Sequence, residues 1–325
     1  MLAKPMDVLS TFPVRKTKKQ KQEFRNAVQS YAQSQGYISN CEKGSFGCRN
    51  VVIGDPEKAK YLITAHYDTC ARMLIPNLIT PCNFGLFMGY QLLLVIVIFF
   101  LAFVVGIIGW LVVSLFCVLL IDAPADAFAL GVSFIPELSY CGFWIVLIMM
   151  MFGPANPNNS NDNSSGVITL LEIMRSLPEN QRHKVCFVLF DLEEAGLIGS
   201  ASFRKKHAKA SDTQIVLNLD CVGDGDHIVL FPTKRLKKDS RLRGLIYKCC
   251  GYFGRKSVIL REKGFSIYPS DQANFPYGVG ICALHKGKLG LYLSRIHTKR
   301  DTVLDETNIN ILRAGLISMI SCDAV

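Results

Sequence analysis

The stretch KVCFVLFDLEEAGLIGS, residues 184–200, decides the fold. Lys184–Leu192 is a nearly continuous apolar run that ends in acidic residues. It shows no polar–apolar alternation, so it reads as a strand buried on both faces, as in parallel sheets covered by helices. Ala195–His207 then reads as a helix. Ile215–Cys221 is a second buried strand of the same kind. On the N-terminal side, Arg49–Gly54 and Lys60–His66 read as strands joined by Asp55-Pro56-Glu57. Weaker strand patterns lie at His227–Phe231, Ser257–Arg261 and Val279–Ala283. Helices are expected at Arg15–Gln35, Gly166–Leu177 and Thr307–Ile320. Strands alternating with helices indicate an α/β layer architecture with a mostly parallel sheet.

In open α/β sheets, ligands bind outside the carboxyl ends of the strands. The residues expected there are His66-Tyr67-Asp68, Asp191-Leu192-Glu193-Glu194 and Asn218-Leu219-Asp220. Each piece alone has an ordinary explanation. His-x-Asp can be a cap or a salt bridge. A Glu pair suits a helix N-terminus. Asp220 and Asp162 can be N-caps, and His297 an ordinary loop histidine. Together, two imidazoles and several carboxylates make a nitrogen/oxygen set suited to zinc. So many negative charges would repel one another without cations. A two-metal hydrolytic site needs a bridging ligand and a free carboxylate to accept a proton from water, and this set is large enough to supply both.

Five motifs carry a resemblance: Ala65-His66-Tyr67-Asp68-Thr69, Asn161-Asp162-Asn163-Ser164-Ser165-Gly166, Glu193-Glu194-Ala195-Gly196-Leu197-Ile198-Gly199-Ser200, Asn218-Leu219-Asp220 and His297-Thr298-Lys299-Arg300-Asp301-Thr302. In this order they resemble the di-zinc metallopeptidase family 28, which includes secreted bacterial leucyl aminopeptidases. Glutamate carboxypeptidase and glutaminyl cyclase are relatives. The resemblance runs from about residue 45 to the C-terminus, apart from an apolar insert. It implies the zinc-exopeptidase fold, a three-layer α/β/α sandwich with a mixed, mostly parallel sheet. It also implies two Zn2+ ions. Asp162 would bridge them, His66 and Asp220 would complete one, and Glu194 and His297 the other. Glu193 would be the general base and then the acid. Asp68 would orient His66 through its other ring nitrogen, and Asp301 would orient the His297 loop. There are departures. Gln272 stands where Ser270-Asp271-Gln272 would carry a histidine, which bears on substrate contacts more than on metals. Tyr292 lies near His297, where it could polarise a carbonyl or serve as ordinary structure.

The insert is the largest departure. No charged residue occurs from Met73 to Ile121, and most of Phe84–Ile121 is Leu, Val, Ile, Phe and Gly. Such a run reads as a transmembrane helix. A second apolar stretch, about Ala127–Phe152, is broken by Pro136 and Glu137, and its best part is Tyr140–Phe152. The expected organisation is 1–80 as the first part of a catalytic domain, 81–153 as a transmembrane hairpin and 154–325 as the remainder. His66 and Asp162 must meet across the insert, so the number of spans is even. The connector carries Asp122, Asp126 and Glu137 and no Lys or Arg, whereas the chain as a whole has a net charge of +10. The positive-inside rule then places the catalytic domain in the cytosol of a multi-pass cell-membrane protein. Met1–Thr17 lacks the apolar core of a signal peptide. The twelve cysteines have no CxxC spacing and read as reduced thiols.

The basic stretches Arg15–Lys21, Arg204–Lys209 and Lys234–Arg243 read as solvated faces or as attraction to anionic headgroups. No nucleic-acid recognition motif accompanies them. The expected partners are a peptide substrate and the lipid bilayer, with no nucleic acid; oligomeric state is left open. The expected function is a membrane-anchored zinc aminopeptidase. The alternatives are a carboxypeptidase, dipeptidase or other amidase on the same scaffold, a glutaminyl cyclase-like transferase, or a non-catalytic membrane receptor or scaffold.

Overall fold

The structure is a computed structural model that describes residues 2–73, 76–120, 132 and 134–323. It forms two compact units, Met1–Phe84 with Ala155–Val325, and Gly85–Pro154. In chain order the elements begin with α1 (Asp7–Thr11), α2 (Lys18–Ser34), β1 (Ser39–Lys43), β2 (Arg49–Ile53) and β3 (Tyr61–His66). The apolar helices α3 (Phe84–Leu120) and α4 (Ile135–Phe152) follow, then α5 (Gly166–Ser176), β4 (Val185–Phe190), α6 (Ile198–Lys206), α7 (Ala208–Ser211) and β5 (Ile215–Leu219). The last part contains β6 (His227–Pro232), α8 (Lys234–Lys238), α9 (Ser240–Tyr247), β7 (Gly251–Phe253), β8 (Lys256–Leu260), β9 (Gly278–Gly287), β10 (Gly290–Tyr292) and α10 (Glu306–Cys322).

The larger unit is built on one mixed sheet of order β1-β2-β4-β3-β5-β9-β6-β8-β7, with β10 paired to β9. Its centre, β4-β3-β5-β9, is parallel. The outer pairings β1/β2, β2/β4, β6/β9 and β7/β8 are antiparallel. Alternate side chains of β4 show why its sequence is apolar throughout. Val185, Phe187 and Leu189 join a core with Phe24 and Val28 of α2, Ile168 and Leu171 of α5, and Leu312 and Leu316 of α10. Cys186, Val188 and Phe190 join a smaller core with Phe203 of α6 and Phe275. Helices therefore cover both faces, which completes the expected α/β/α layering.

The helix expected from Ala195 starts at Ile198. The backbone of Leu192 and Leu197 is left-handed, with φ of 57° and 60°, so the Glu193-Glu194 segment forms a loop. Short edge strands β1, β7 and β10 carry too little apolar pattern to be read from sequence.

Among the described residues, the smaller unit contains two helices long and apolar enough to cross a membrane by length and composition. They pack through small residues. A Cβ on Gly106 would fall 2.2 Å from the Ser139 hydroxyl oxygen, and one on Gly142 would fall 2.8 Å from the Ala102 carbonyl oxygen. Such close approach is the usual way apolar helices associate in lipid. Phe99 and Phe143 stack at 5.2 Å. Pro136 and Glu137 sit in the first turn of α4, where a missing N–H costs nothing, and most of the expected stretch before them lies outside the described residues. Asp122 and Asp126 of the expected acidic connector lie outside the described residues. Both ends of the insert return to the larger unit, where Ile79 bridges Leu293 and Ala71 bridges Ala155.

Candidate active site

The parallel strands β4, β3 and β5 are neighbours in register, so their carboxyl ends share one edge. His66 closes β3, Asp220 follows β5, and Glu193 and Glu194 follow β4. Asp162 comes from a distorted helical turn, Ser160–Ser165, that leads into α5. His297 comes from the loop after β10 and has a left-handed backbone, φ 60°. Cys221, beside Asp220, is also left-handed. Non-glycine residues in this conformation gather at functional loops held by their surroundings.

These side chains converge. His66 Nε2 lies 3.2 Å from Asp162 Oδ1 and 3.7 Å from Asp220 Oδ1. His297 Nε2 lies 2.8 Å from Asp162 Oδ2 and 3.3 Å from Glu194 Oε2. Asp162 therefore gives one oxygen to each imidazole. Donors at zinc bond lengths in a tetrahedron stand about 3.3–3.4 Å apart, and these separations bracket that value. Glu193 groups with His66 and Glu194, their ligating atoms all lying within 4.8 Å of one another. Two imidazoles and the carboxylates of Asp162, Asp220, Glu193 and Glu194 thus face one small volume.

Asp68 does more than expected. Its Oδ1 lies 3.6 Å from His66 Nδ1, at ion-pair distance, and its backbone oxygen is 3.2 Å from that nitrogen. The carboxylate also accepts the N–H groups of Glu193 at 3.1 Å and Glu194 at 3.3 Å. It clamps the backbone that carries both glutamates. Asp301 likewise accepts the N–H groups of Asn161 at 2.8 Å and Asp162 at 3.0 Å, so it ties the Asp162 turn to the His297 loop. Asp191 is structural and pairs with Lys21 at 2.6 Å.

Without a cation, this electrostatics is unbalanced. Burial, reinforced by Glu194, Asp271 and Asp220, pushes the Glu193 carboxyl well above the usual carboxylate range against the pull of His66. Burial also raises Glu194 and Asp301 to about 7. Burial opposes charge on His297, but Glu194 and Asp162 hold it up to about 9. His66 is raised well above its usual value by Glu193, Asp162, Asp220 and Asp68, again against burial. Asp162, buried between both rings, is held low by hydrogen bonds from His297 and His66. Orphaned atoms mark the same place: Glu194 Oε1 and His297 Nδ1 are buried without a hydrogen-bond partner among the described residues. Crowded carboxylates, converging nitrogens and orphaned atoms fit a bound metal.

Sequence reasoning passed over Asp271. Its side chain is fully buried, and neither carboxylate oxygen has a partner among the described residues. Burial raises it to about 7, against the pull of His66. Gln272, the departure noted above, is a strut: Asn218 Nδ2 donates to its Oε1 at 3.2 Å, and its Nε2 donates to the Tyr268 carbonyl at 2.7 Å. Tyr292 packs near His285, with ring centroids 5.8 Å apart, in β10.

A family model described as peptidase family M28 matches residues 152–318, just over half of the chain. The chain belongs to peptidase family M28. The matched M28 region contains Asp162, Glu193, Glu194, Asp220 and His297, whereas His66 and Asp68 precede the insert. The expected class, a zinc metallopeptidase, stands with that membership. The M28 fold is similar to that of the Legionella pneumophila LapA aminopeptidase, at 14% identity over 97% of this chain and 69% of that one, TM-score 0.53. It is also similar to LapB from Legionella pneumophila, at 15% identity over 99% and 72%, TM-score 0.54. A third likeness, to PhTET1-12s, has 11% identity over 98% and 99%, TM-score 0.50. No match was found among curated proteins.

Proposed function

We propose that this M28 chain is a membrane-anchored, two-zinc aminopeptidase. One observation carries the reading: Asp162 offers its two oxygens to two different histidines, each with its own further carboxylate. Asp162 would bridge two ions, with His66 and Asp220 on one and Glu194 and His297 on the other. Bound zinc supplies an acidified water and a polarised carbonyl. Glu193, half-buried and not needed as a ligand, would take the proton of the attacking water and hand it to the leaving amine. Asp68 keeps Glu193 and Glu194 adjacent yet in different roles by gripping both backbone N–H groups. The LapA likeness supports the choice of aminopeptidase within a peptide-hydrolysing family.

The membrane part of the reading rests on α3 and α4 as the two spans and on charge. The expected cytosolic side follows from the basic balance of the chain and the acidic connector. Protease treatment of oriented vesicles tests it. A catalytic unit cleaved from the extracellular side would sink the orientation.

Hydrolysis by detergent-purified protein tests the chemistry. The panel contains free-amine and N-blocked peptides, with zinc or with chelator. Cleavage of free-amine peptides only, abolished by chelator, is expected. Cleavage of N-blocked peptides instead would overturn the aminopeptidase reading in favour of a carboxypeptidase or related amidase.

A further inference from the structure

A second set of ligating atoms converges on the His297 side. Cys70 lies two residues beyond Asp68 and is only 4% exposed. Its Sγ, a carboxylate oxygen of Glu194 and a ring nitrogen of His297 all lie within 4.8 Å of one another. The thiol is held there by the backbone. The Cys70 carbonyl accepts the Asn156 N–H at 3.2 Å, and Ala71 bridges Ala155. Cys70 is therefore fixed where the chain enters and leaves the insert, next to the Asp162 turn.

A sulfur, a nitrogen and carboxylate oxygens around one point make a donor set that suits zinc and other thiophilic divalent ions. We propose that Cys70 is a protein ligand of the ion shared by Asp162, Glu194 and His297. The inference rests on the two-metal reading above and deepens it. That ion then has four protein donors, as closed zinc sites do, whereas the ion on His66, Asp162 and Asp220 has three and keeps an open position. Glu193 groups with His66 of the open side as well as with Glu194, so it can serve a water at the open position, while the Cys70 side holds charge and geometry. On binding, the S–H bond breaks, the sulfur–metal bond forms and the proton leaves to solvent.

Cobalt(II) tests this without relying on activity. The full chain in detergent is stripped with chelator and reloaded with cobalt, and its metal content is measured. The wild type is expected to show a near-ultraviolet thiolate-to-cobalt charge-transfer band that Cys70→Ser lacks. The variant should also bind the second cobalt about tenfold or more weakly. In the wild type, alkylation of Cys70, mapped by mass spectrometry, should be slowed by cobalt and restored by chelator. Two bound cobalt ions without the band, the same band in Cys70→Ser, or Cys70 alkylation unaffected by metal would each overturn the proposal while leaving the two-metal reading standing. Failure of the wild type to take up two ions would overturn both.

Discussion

Two regions of the larger unit bring histidine and carboxylates together in the interior, with different results. At His207, Nδ1 meets Glu57 Oε1 at 2.5 Å and Nε2 meets Glu42 Oε2 at 2.9 Å. Lys206 adds a contact to the same Glu42 oxygen at 3.2 Å, and the ring lies 4.5 Å from Phe203. Each ring nitrogen has its own carboxylate partner, and Glu42 also meets a lysine. At the sheet edge, by contrast, two imidazoles turn toward one shared carboxylate and leave buried atoms without partners. The first arrangement is a latch that ties the end of α6 to β1 and to the loop between β2 and β3. The second is a cradle. Residue types do not separate them; convergence on a point and orphaned ligating atoms do.

The sharpest way to break the comparison is at the proposed general base. Glu193→Gln should lower kcat by about 10²–10⁴-fold while bound metal is unchanged. Unchanged turnover would reduce the cradle to another latch. Next comes the clamp. Asp68→Ala should cost about 10–100-fold in metal affinity or activity, because both glutamates lose their backbone anchor. A variant with full metal content and full turnover would remove Asp68 from the machinery.

His207→Gln should do the reverse. Zinc content and kcat should stay at wild-type level while urea unfolding shows a loss of about 1–3 kcal/mol. Most of that loss belongs to Glu42, whose side chain is only 9% exposed; Glu57 is 57% exposed and screened by solvent, so its share is small. Metal loss in this variant would show that the two regions are not separate.

The smallest effect is expected at Asp271, in chelator. Its folded pKa of about 7 lies above the ordinary carboxylate value. Its protonated form therefore favours the fold fully below about pH 4, and this contribution is lost as pH rises through 7. Asp271→Asn should melt higher than wild type at pH 8, by about 2–4 °C, and the gap should close toward pH 4. A constant gap across that range would mean that Asp271 is not titrating in the fold.

Much of the site was legible because its chemistry needs particular residue types at strand ends. His66, Asp220, Glu193 and Glu194 could be placed from the apolar runs that precede them, and Asp162 and His297 from motif order. Cys70 and Asp271 were missed for a physical reason. One looked like any scattered thiol and the other lay beside the more conspicuous Gln272. Only contacts between residues far apart in the chain give either a role. Asp68 was expected to hold His66, and the left-handed turn at Leu192 also brings the N–H groups of Glu193 and Glu194 to its carboxylate.

By itself the sequence determined the layered α/β architecture, the uncharged insert and the inventory of candidate ligands, since these depend on local pattern and composition. Tertiary structure decided which Asp162 oxygen faces which histidine, that Pro136 lies in the first turn of a helix, and that Asp301 ties two distant loops. Those outcomes depend on long-range packing that sets backbone turns and rotamers, and no local pattern along the chain encodes them.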